Sequence, residues 1–339
     1  MSHVDFNKLT KRYWVWPIAW DLFLGAFGGG ILVLTAVLDM VYRGGIASLS
    51  PVALPQVGSA FAMAVLLAVI ALALASGLLV FELGQPQLFL RTFISKTSVI
   101  KYGALMILLS IVFGLVYFLF CLPPQWGLFY YNWAWLRDTC CFLMLLSGLG
   151  VILYTGILLS SMKSKPFWNS PVLPVLFICS AMAMGSSLMN ALVGAWPGSA
   201  NTLVASADIQ AYLSARLQGT AVIALSATLV TLLIYVVLQY AAGNTTSRQT
   251  ALKWLRGPYA LAFWGGVVGL GLIVPLLLYL AVPSAFATYA SPVLVILASL
   301  LLRFLVVNSS SRRAIPGEER YWSRMPDPHA EFLRQDREG

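Results

Sequence analysis

Two carboxylic acids and a phenol stand out in this sequence because each lies near the end of a long apolar run. Asp21 comes four residues after Pro17, Glu82 ends a second apolar run, and Tyr154 lies near the end of a third. A carboxyl group withdrawn from water holds its proton more tightly, and beside a phenol it suits proton exchange with a quinone oxygen. The alternative is that each side chain only reaches the interface or caps a helix end.

The composition identifies lipid as the solvent of this chain. Of its 339 residues, 60% are apolar or aromatic and only 10% are charged, whereas about a quarter of the residues in a soluble domain are charged. The formal charge is +9, but the basic residues lie in short segments between apolar runs. That distribution indicates membrane topology and not nucleic-acid binding.

The apolar runs predict an all-α, polytopic membrane protein. A membrane-spanning helix needs about 20 consecutive apolar residues. The last two runs are separated only on the evidence of Pro283 and Pro292, so seven helices are the alternative to eight. Eight segments meet the length test: 17–42, 58–83, 99–121, 137–161, 171–193, 215–241, 260–281 and 285–307.

Basic residues are distributed unequally between the two sides of the predicted bundle. One side receives Arg43, Arg137 and Arg216, which are three of the 21 lysines and arginines, and the other side receives the remaining 18. The positive-inside rule places the richer side in the cytoplasm, together with both termini. The protein is therefore expected to be a multi-pass protein of a bacterial or archaeal inner membrane.

This topology brings the three candidate groups to a common depth. The first helix leaves the cytoplasmic side, and the second and fourth helices return to it. Tyr154 lies roughly 10 Å before the end of the fourth helix by helical rise. Asp21, Glu82 and Tyr154 are therefore predicted to share one shallow cavity, with basic residues at its mouth: Arg91, Lys163 and Lys165.

Other polar groups favour structural interpretations. Asp39 and Arg43 are four residues apart near the outer end of the first helix, a spacing that predicts a salt bridge at the headgroups. Arg137 and Asp138 open the fourth helix at the same interface. The sequence gives little support for a proton pathway across the membrane, although waters could complete one, because three amides are isolated along it: Asn190, Gln218 and Gln239.

Glycine spacing predicts close helix packing. Gly25 and Gly29 form a GxxxG step in the first helix, and Gly265 and Gly269 form another in the seventh. Small residues at this spacing let helix backbones approach one another in lipid. Pro275 is expected to kink the seventh helix.

The cysteines and histidines do not suggest a metal centre. No pair of the four cysteines has Cys-x-x-Cys spacing, and we interpret them as small apolar side chains inside helices. The only histidines, His3 and His329, lie in the tails, whereas a haem between membrane helices needs ligands within them. We expect neither haem, nor an iron–sulfur cluster, nor another metal site in this protein.

Three motifs in the first half resemble the NrfD/polysulfide reductase membrane-subunit family. The first is Trp16-x₃-Trp20-x₄-Gly25-Ala26-Phe27-Gly28-Gly29 in the first helix. The second runs from Glu82 to Arg91 as ELGQPQLFLR, similar to the family's L-G-x-P-x-R-F-x-R stretch. The third is Tyr154-x-Gly156, followed after nine residues by Pro166-Phe167-Trp168-Asn169. The second half matches only in its number of helices.

The resemblance implies an eight-helix subunit in two four-helix bundles, 17–161 and 162–308, flanked by polar segments 1–16 and 309–339. Members of this family exchange electrons with menaquinone or ubiquinone through an iron–sulfur subunit, which connects to a catalytic subunit that is often a molybdopterin enzyme. Such a subunit is not active alone. By position, Glu82 and Tyr154 match residues of the quinone pocket, to which Trp20, Gly25 and Arg91 also belong.

The sequence departs from the family at several positions. Some members have His and Asn where this protein has Trp20 and Trp16, so Asp21 is expected to supply the proton function from the neighbouring position. Gln87 replaces a usual Arg, whereas Arg91 is retained. The best-known members place the quinone pocket, the partner and the termini toward the periplasm, and here the charge distribution predicts the cytoplasm.

Two further functions are compatible with the sequence. A secondary transporter also has many membrane helices, although transporters commonly bind near the midplane with broken helices. A structural anchor without a quinone site would keep the docking face and lose the redox role. The leading hypothesis is a quinone-reactive anchor of a multi-subunit respiratory oxidoreductase, in which Asp21 and Glu82 exchange protons and Tyr154 binds a quinone carbonyl.

Overall fold

The computed structural model describes residues 16–49, 54–82, 99–122, 133–195, 203–241, 245–281 and 285–310. Within these ranges every regular element is a helix and none is a strand. The all-α prediction is therefore confirmed. Glu82 is the last residue of a described helix, although its side chain is not described, and Arg91 lies outside the described residues.

Eight of the described helices are long and apolar enough to cross a membrane. The seventh span ends at Ala281 and the eighth begins at Ala285. The prediction of eight helices is therefore confirmed, and the alternative of seven is wrong. The short helix α7 lies between the sixth and seventh spans and is not predicted by apolar length. In order along the sequence the helices are α1 (Trp16–Leu49), α2 (Leu54–Glu82), α3 (Val99–Cys121), α4 (Ala134–Ser160), α5 (Val172–Ala195), α6 (Leu203–Ala241), α7 (Thr245–Leu255), α8 (Leu261–Ala281) and α9 (Ala285–Ser309).

We call α1–α4 the first group of spanning helices, and α5, α6, α8 and α9 the second group; the predicted division into two four-helix bundles stays a prediction. In the first group, α1 contacts α2 and α4, while α3 also contacts α2 and α4; in the second, α5 contacts α6 and α9, and α8 contacts α9. Contacts of α1 with α5 and α9 join the groups. We call the end of the bundle that holds Trp16, Glu82, Val99 and Ser160 the proximal end, and the opposite end the distal end.

Glycines allow α1 to approach its neighbours closely. A Cβ atom added at Gly25 would lie 3.3 Å from Cγ2 of Thr155 on α4, and one added at Gly29 would lie 3.0 Å from the carbonyl oxygen of Gly148. The predicted packing role of this GxxxG step is therefore confirmed. Gly30 lies against the backbone of Ala181 on α5, where an added Cβ would overlap the carbonyl group.

We expect Gly30→Ala to lower the free energy of unfolding by about 3 kcal/mol, because the methyl group must displace backbone atoms of α5. Thermal unfolding of the purified protein in detergent measures the effect. Gly77→Ala on α2 is the matched control, since no neighbouring atom of the described residues lies within 4 Å of a Cβ added there. An equal loss of stability in both variants would show that close packing of α1 on α5 is not the cause.

The predicted GxxxG step of the seventh span does not face a neighbouring helix, and this prediction is wrong. The first part of α8, Leu261–Ile273, is wound as a π-helix, and the α-helical part is Val274–Ala281. Within the described residues, Cβ atoms added at Gly265 and Gly269 would meet only α8 itself. The five-residue step of π winding instead turns Gly266 and Gly271 toward Leu301 and Ala298 of α9. The π-helix ends and the α-helix begins at Val274, one residue before Pro275. Proline has no backbone N–H to donate to a helix hydrogen bond.

Candidate functional site

Asp21 lies near the proximal end of α1 and only 3% of its surface is exposed. It precedes Gly25 by four residues and Gly29 by eight, so the three residues occupy one stripe of α1. That stripe packs on α4 at Thr155 and Gly148. Asp21 is therefore a buried acid on the α4-facing side of its helix and does not face lipid.

Tyr154 lies on α4 with 5% of its surface exposed. Its ring covers Gly103 near the start of α3, where any Cβ atom would overlap the ring atoms. The next residue, Thr155, contacts Gly25 of α1. The proximal part of α4 thus packs between α1 and α3, with the phenol on its α3-facing side.

Asp21 lies about one helical turn, roughly 6 Å, closer to the proximal end than Tyr154, because Gly25, four residues after Asp21, lies against Thr155 of α4. Asp21 comes five residues after Trp16, or about 7.5 Å by helical rise. Tyr154 comes six residues before Ser160, or about 9 Å. α2 ends at Glu82 at the same end of the group, but the Glu82 side chain and Arg91 are not among the described groups, so the cavity shared by the three candidate groups stays a prediction.

The other predicted pocket residue on α1 faces a different neighbour. Trp20 is half-buried and packs edge-on against Phe23 at 5.8 Å and Phe304 at 6.3 Å between ring centroids. Phe304 belongs to α9, so the indole lies toward the second group of helices. Trp16 is 62% exposed.

The segment between α4 and α5 is anchored in the second group. Trp168 is fully buried and its Nε1 donates to the carbonyl oxygen of Val306 on α9 at 2.7 Å. The Phe167 carbonyl accepts hydrogen bonds from Tyr235 and Gln239 of α6. Lys165 places Nζ 3.6 Å from the Trp168 ring centroid. The Pro-Phe-Trp-Asn motif therefore joins the two groups beside the proximal end.

Arg303 is a buried cation that the sequence analysis counted only as part of the basic side. It lies inside α9 and its surface is 0% exposed. Its guanidinium donates to three oxygens on three helices, none of them a carboxylate: Leu22 O at 3.1 Å, Ser299 O at 2.9 Å and Ser180 Oγ at 3.2 Å. Since Leu22 follows Asp21, the cation binds the α1 backbone directly beside the buried acid. The sequence feature that could have indicated this buried cation is an arginine inside an apolar span.

The predicted salt bridge between Arg43 and Asp39 is confirmed. Arg43 Nη1 also lies 2.6 Å from Oδ1 of Asp138, which Arg137 contacts at 3.0 Å. Asp39 is 4% exposed and the Arg43 side chain is 21% exposed, so the pair is partly buried between α1 and α4. This network holds the distal ends of the two helices together.

Among the residues that the structure describes, no group of three or more His, Cys, Asp or Glu side chains could hold a metal ion. The candidate chemistry of the described proximal end is therefore that of a buried acid and a phenol on adjoining helices, with a guanidinium hydrogen-bonded beside the acid.

Comparison with known proteins identifies the family. The family model described as "Polysulphide reductase, NrfD" matches residues 5–312. The sequence is 29% identical to the C subunit of polysulfide reductase from Wolinella succinogenes over 322 residues, covering 89% of the present protein and 96% of that subunit. It is 28% identical to protein NrfD of Escherichia coli K12 over 303 residues, covering 82% of the present protein and 87% of that relative. The predicted resemblance is confirmed, and the protein belongs to the NrfD/polysulphide reductase family of multi-pass membrane proteins.

Proposed function

We propose that this protein is the quinone-reactive membrane subunit of a multi-subunit respiratory oxidoreductase. The observation that supports this proposal most strongly is the burial of Asp21 and Tyr154 on adjoining helices near the proximal end, within about one helical turn of each other in depth. Buried ionisable groups inside membrane spans are costly and generally functional. The position of Glu82 at the end of α2 adds a second acid at this end of the first group.

Each residue has a distinct role in the proposed reaction. Quinol oxidation releases two electrons and two protons, and quinone reduction takes up the same number. Tyr154 hydrogen-bonds a quinone carbonyl, while Asp21 and Glu82 exchange the protons with the aqueous phase. Arg91 orients the acids or the partner subunit. The quinone, menaquinone or ubiquinone, is the substrate and supplies the redox chemistry.

The electrons must leave through a partner, because we propose that this protein holds no redox centre. The relative from Wolinella succinogenes is named as one lettered subunit of polysulfide reductase, which implies that it works beside other subunits. By family resemblance we propose an iron–sulfur subunit and a catalytic subunit, often a molybdopterin enzyme, as the partners of the present protein.

Purification in mild detergent tests this assembly. We expect iron–sulfur absorbance to travel with the protein through affinity and size-exclusion steps, and the purified complex to oxidise or reduce a short-chain quinone. A lone polypeptide without such absorbance would favour a transporter. A complete complex that binds no quinol-site inhibitor would favour a structural anchor.

We further propose that the proximal end faces the cytoplasm, because 18 of the 21 basic residues in the sequence lie on that side. Activity reporters fused at either terminus are expected to give a cytoplasmic signal. A reporter inserted between α3 and α4, on the distal side, should give a periplasmic signal. The reversed pattern would contradict this orientation and place the pocket and its partner outside.

Gly103→Ala is expected to lower quinone turnover by roughly 10²-fold, because the methyl group displaces the ring of Tyr154 and a shift of about 1 Å at a reacting group can cost that much. Gly150→Ala is the matched control at the same interface, where an added Cβ would meet the Met106 side chain at 2.7 Å. Methionine is flexible and can move aside. Equal turnover in both variants, measured at equal assembly, would contradict the role of Tyr154.

A further inference from the structure

Four polar oxygen atoms are buried in the distal part of the second group without a hydrogen-bond partner among the residues that the structure describes. They are Ser187 Oγ and Asn190 Oδ1 on α5, Tyr279 Oη on α8 and Ser291 Oγ on α9. These residues are at most 4% exposed. The phenol of Tyr279 lies near the polar groups of the other three side chains, although none of these contacts has the geometry of a hydrogen bond, so the four groups converge on one place between three helices.

Other hydroxyl groups of α5 do have hydrogen-bond partners. Elsewhere on α5, the hydroxyl of Ser180 donates to the Phe177 carbonyl at 3.0 Å and that of Ser186 donates to the Met182 carbonyl at 2.7 Å. A buried polar atom without a partner costs about 1–3 kcal/mol. Four such atoms together would cost several times that amount unless another molecule satisfies them.

Two glutamines of α6 frame the cluster. Nε2 of Gln210 donates to the carbonyl oxygens of Val193 and Gly194 at the end of α5, at 2.9 and 2.8 Å. Nε2 of Gln218 donates to the backbone carbonyl of Tyr279 itself. α6 therefore binds the distal parts of α5 and α8 beside the four oxygens.

We propose that ordered water occupies this cluster, which we call the distal water site (Ser187, Asn190, Tyr279 and Ser291). The three hydroxyl groups can donate or accept hydrogen bonds and the amide oxygen can accept them, which matches the donors and acceptors of water. None of the four residues carries a charge, so a bound cation would remain uncompensated in a poorly polarisable interior, at high cost.

The site is separate from the proposed quinone pocket, because it lies at the opposite end of the bundle and in the other group of helices. Tyr279 is two residues from the distal end of α8, about 3 Å by helical rise. Water there hydrates the interior of the second group from its distal end. The distal water site does not depend on the proposed quinone function.

Radiolytic hydroxyl-radical labelling with mass spectrometry tests the site in the intact complex. Bound water generates radicals in place, so we expect Tyr279 to be labelled roughly tenfold faster than an equally buried tyrosine without water beside it. Tyr235 of α6 is the matched control, because it is 0% exposed and its hydroxyl donates to the Phe167 carbonyl. Equal labelling of the two tyrosines would overturn the proposal.

A triple variant keeps Tyr279, whose labelling is measured, and removes the polar side chains around it. The variant is Ser187→Ala, Asn190→Leu, Ser291→Ala, in which the side chains around the Tyr279 phenol are apolar. We expect Tyr279 labelling to fall to the level of Tyr235. Unchanged labelling would show that the radicals come from bulk solvent, and the site would be dismissed. The wild-type measurement is repeated with choline in place of sodium and potassium, and a change in labelling would indicate a bound cation and overturn the assignment to water.

Discussion

Asp21→Asn is expected to lower quinone-linked turnover by about 10²–10⁴-fold, which is the contribution of a positioned proton donor or acceptor. Asparagine keeps the shape and hydrogen-bonding capacity of the buried side chain but cannot exchange a proton. The measurement is the rate of quinol oxidation or quinone reduction by the purified complex. Glu82→Gln is expected to lose turnover for the same reason while leaving assembly intact.

The matched control is Asp138→Asn on α4. Its side chain is 52% exposed and its ion pairs hold the distal ends of α1 and α4, far from the proposed pocket. We expect turnover within about twofold of the wild type, since exposed ion pairs contribute about 0–1 kcal/mol. If Asp21→Asn behaved like this control, with partner subunits bound in normal amount, Asp21 would have no part in proton exchange.

Arg303→Lys is expected to lower the free energy of unfolding by about 3–6 kcal/mol. The guanidinium binds oxygens on α1, α5 and α9 at once, and a lysine ammonium cannot reach three divergent acceptors from one point. Two lost hydrogen bonds to a charged group cost about 1.5–3 kcal/mol each, and the charge stays buried. Thermal unfolding in detergent provides the measurement.

Arg303→Met tests whether the charge of Arg303 or the volume of its side chain determines the change in stability. Methionine fills much of the space of the arginine stem without a charge, and the acceptors left behind have other partners: the Ser180 hydroxyl already donates to Phe177, and helix carbonyls accept from their own helix. We therefore expect Met to be less destabilising than Lys, as found where buried ionic groups are replaced by apolar ones. A lysine variant as stable as the wild type would contradict the three-helix contact.

The membrane helices could be predicted from the sequence because lipid requires about 20 apolar residues in each span. Helix ends were less predictable where a helix continues beyond the membrane: α6 begins at Leu203, twelve residues before the predicted start at 215, because its first turns contain polar residues. The packing of Gly25 and Gly29 followed from their spacing. The packing of Gly265 and Gly269 did not, because π winding changes which residues share a face.

Some buried polar contacts join segments that are distant along the sequence, and the spacing of residues in the sequence does not reveal them. Asn190 is isolated along the sequence, yet Tyr279 and Ser291 approach it from two other helices. Gln218 and Gln239 likewise donate to backbone carbonyls of other segments. The position of Arg303 inside an apolar span indicated a buried cation, but spacing alone could not decide between burial and extension to the interface from a position near the helix end. Asp21 and Tyr154 were identifiable, because polar residues are rare in these apolar spans.

The most direct test of the quinone function is photoaffinity labelling with an azido-quinone in the intact complex, followed by peptide mapping. We predict label on the proximal parts of α1 and α4, near Asp21 and Tyr154, that excess unmodified quinone removes. Label confined to lipid-facing residues such as Ile223 and Leu261, which are 72% and 86% exposed, and unaffected by that competitor, would contradict a quinone pocket in this protein.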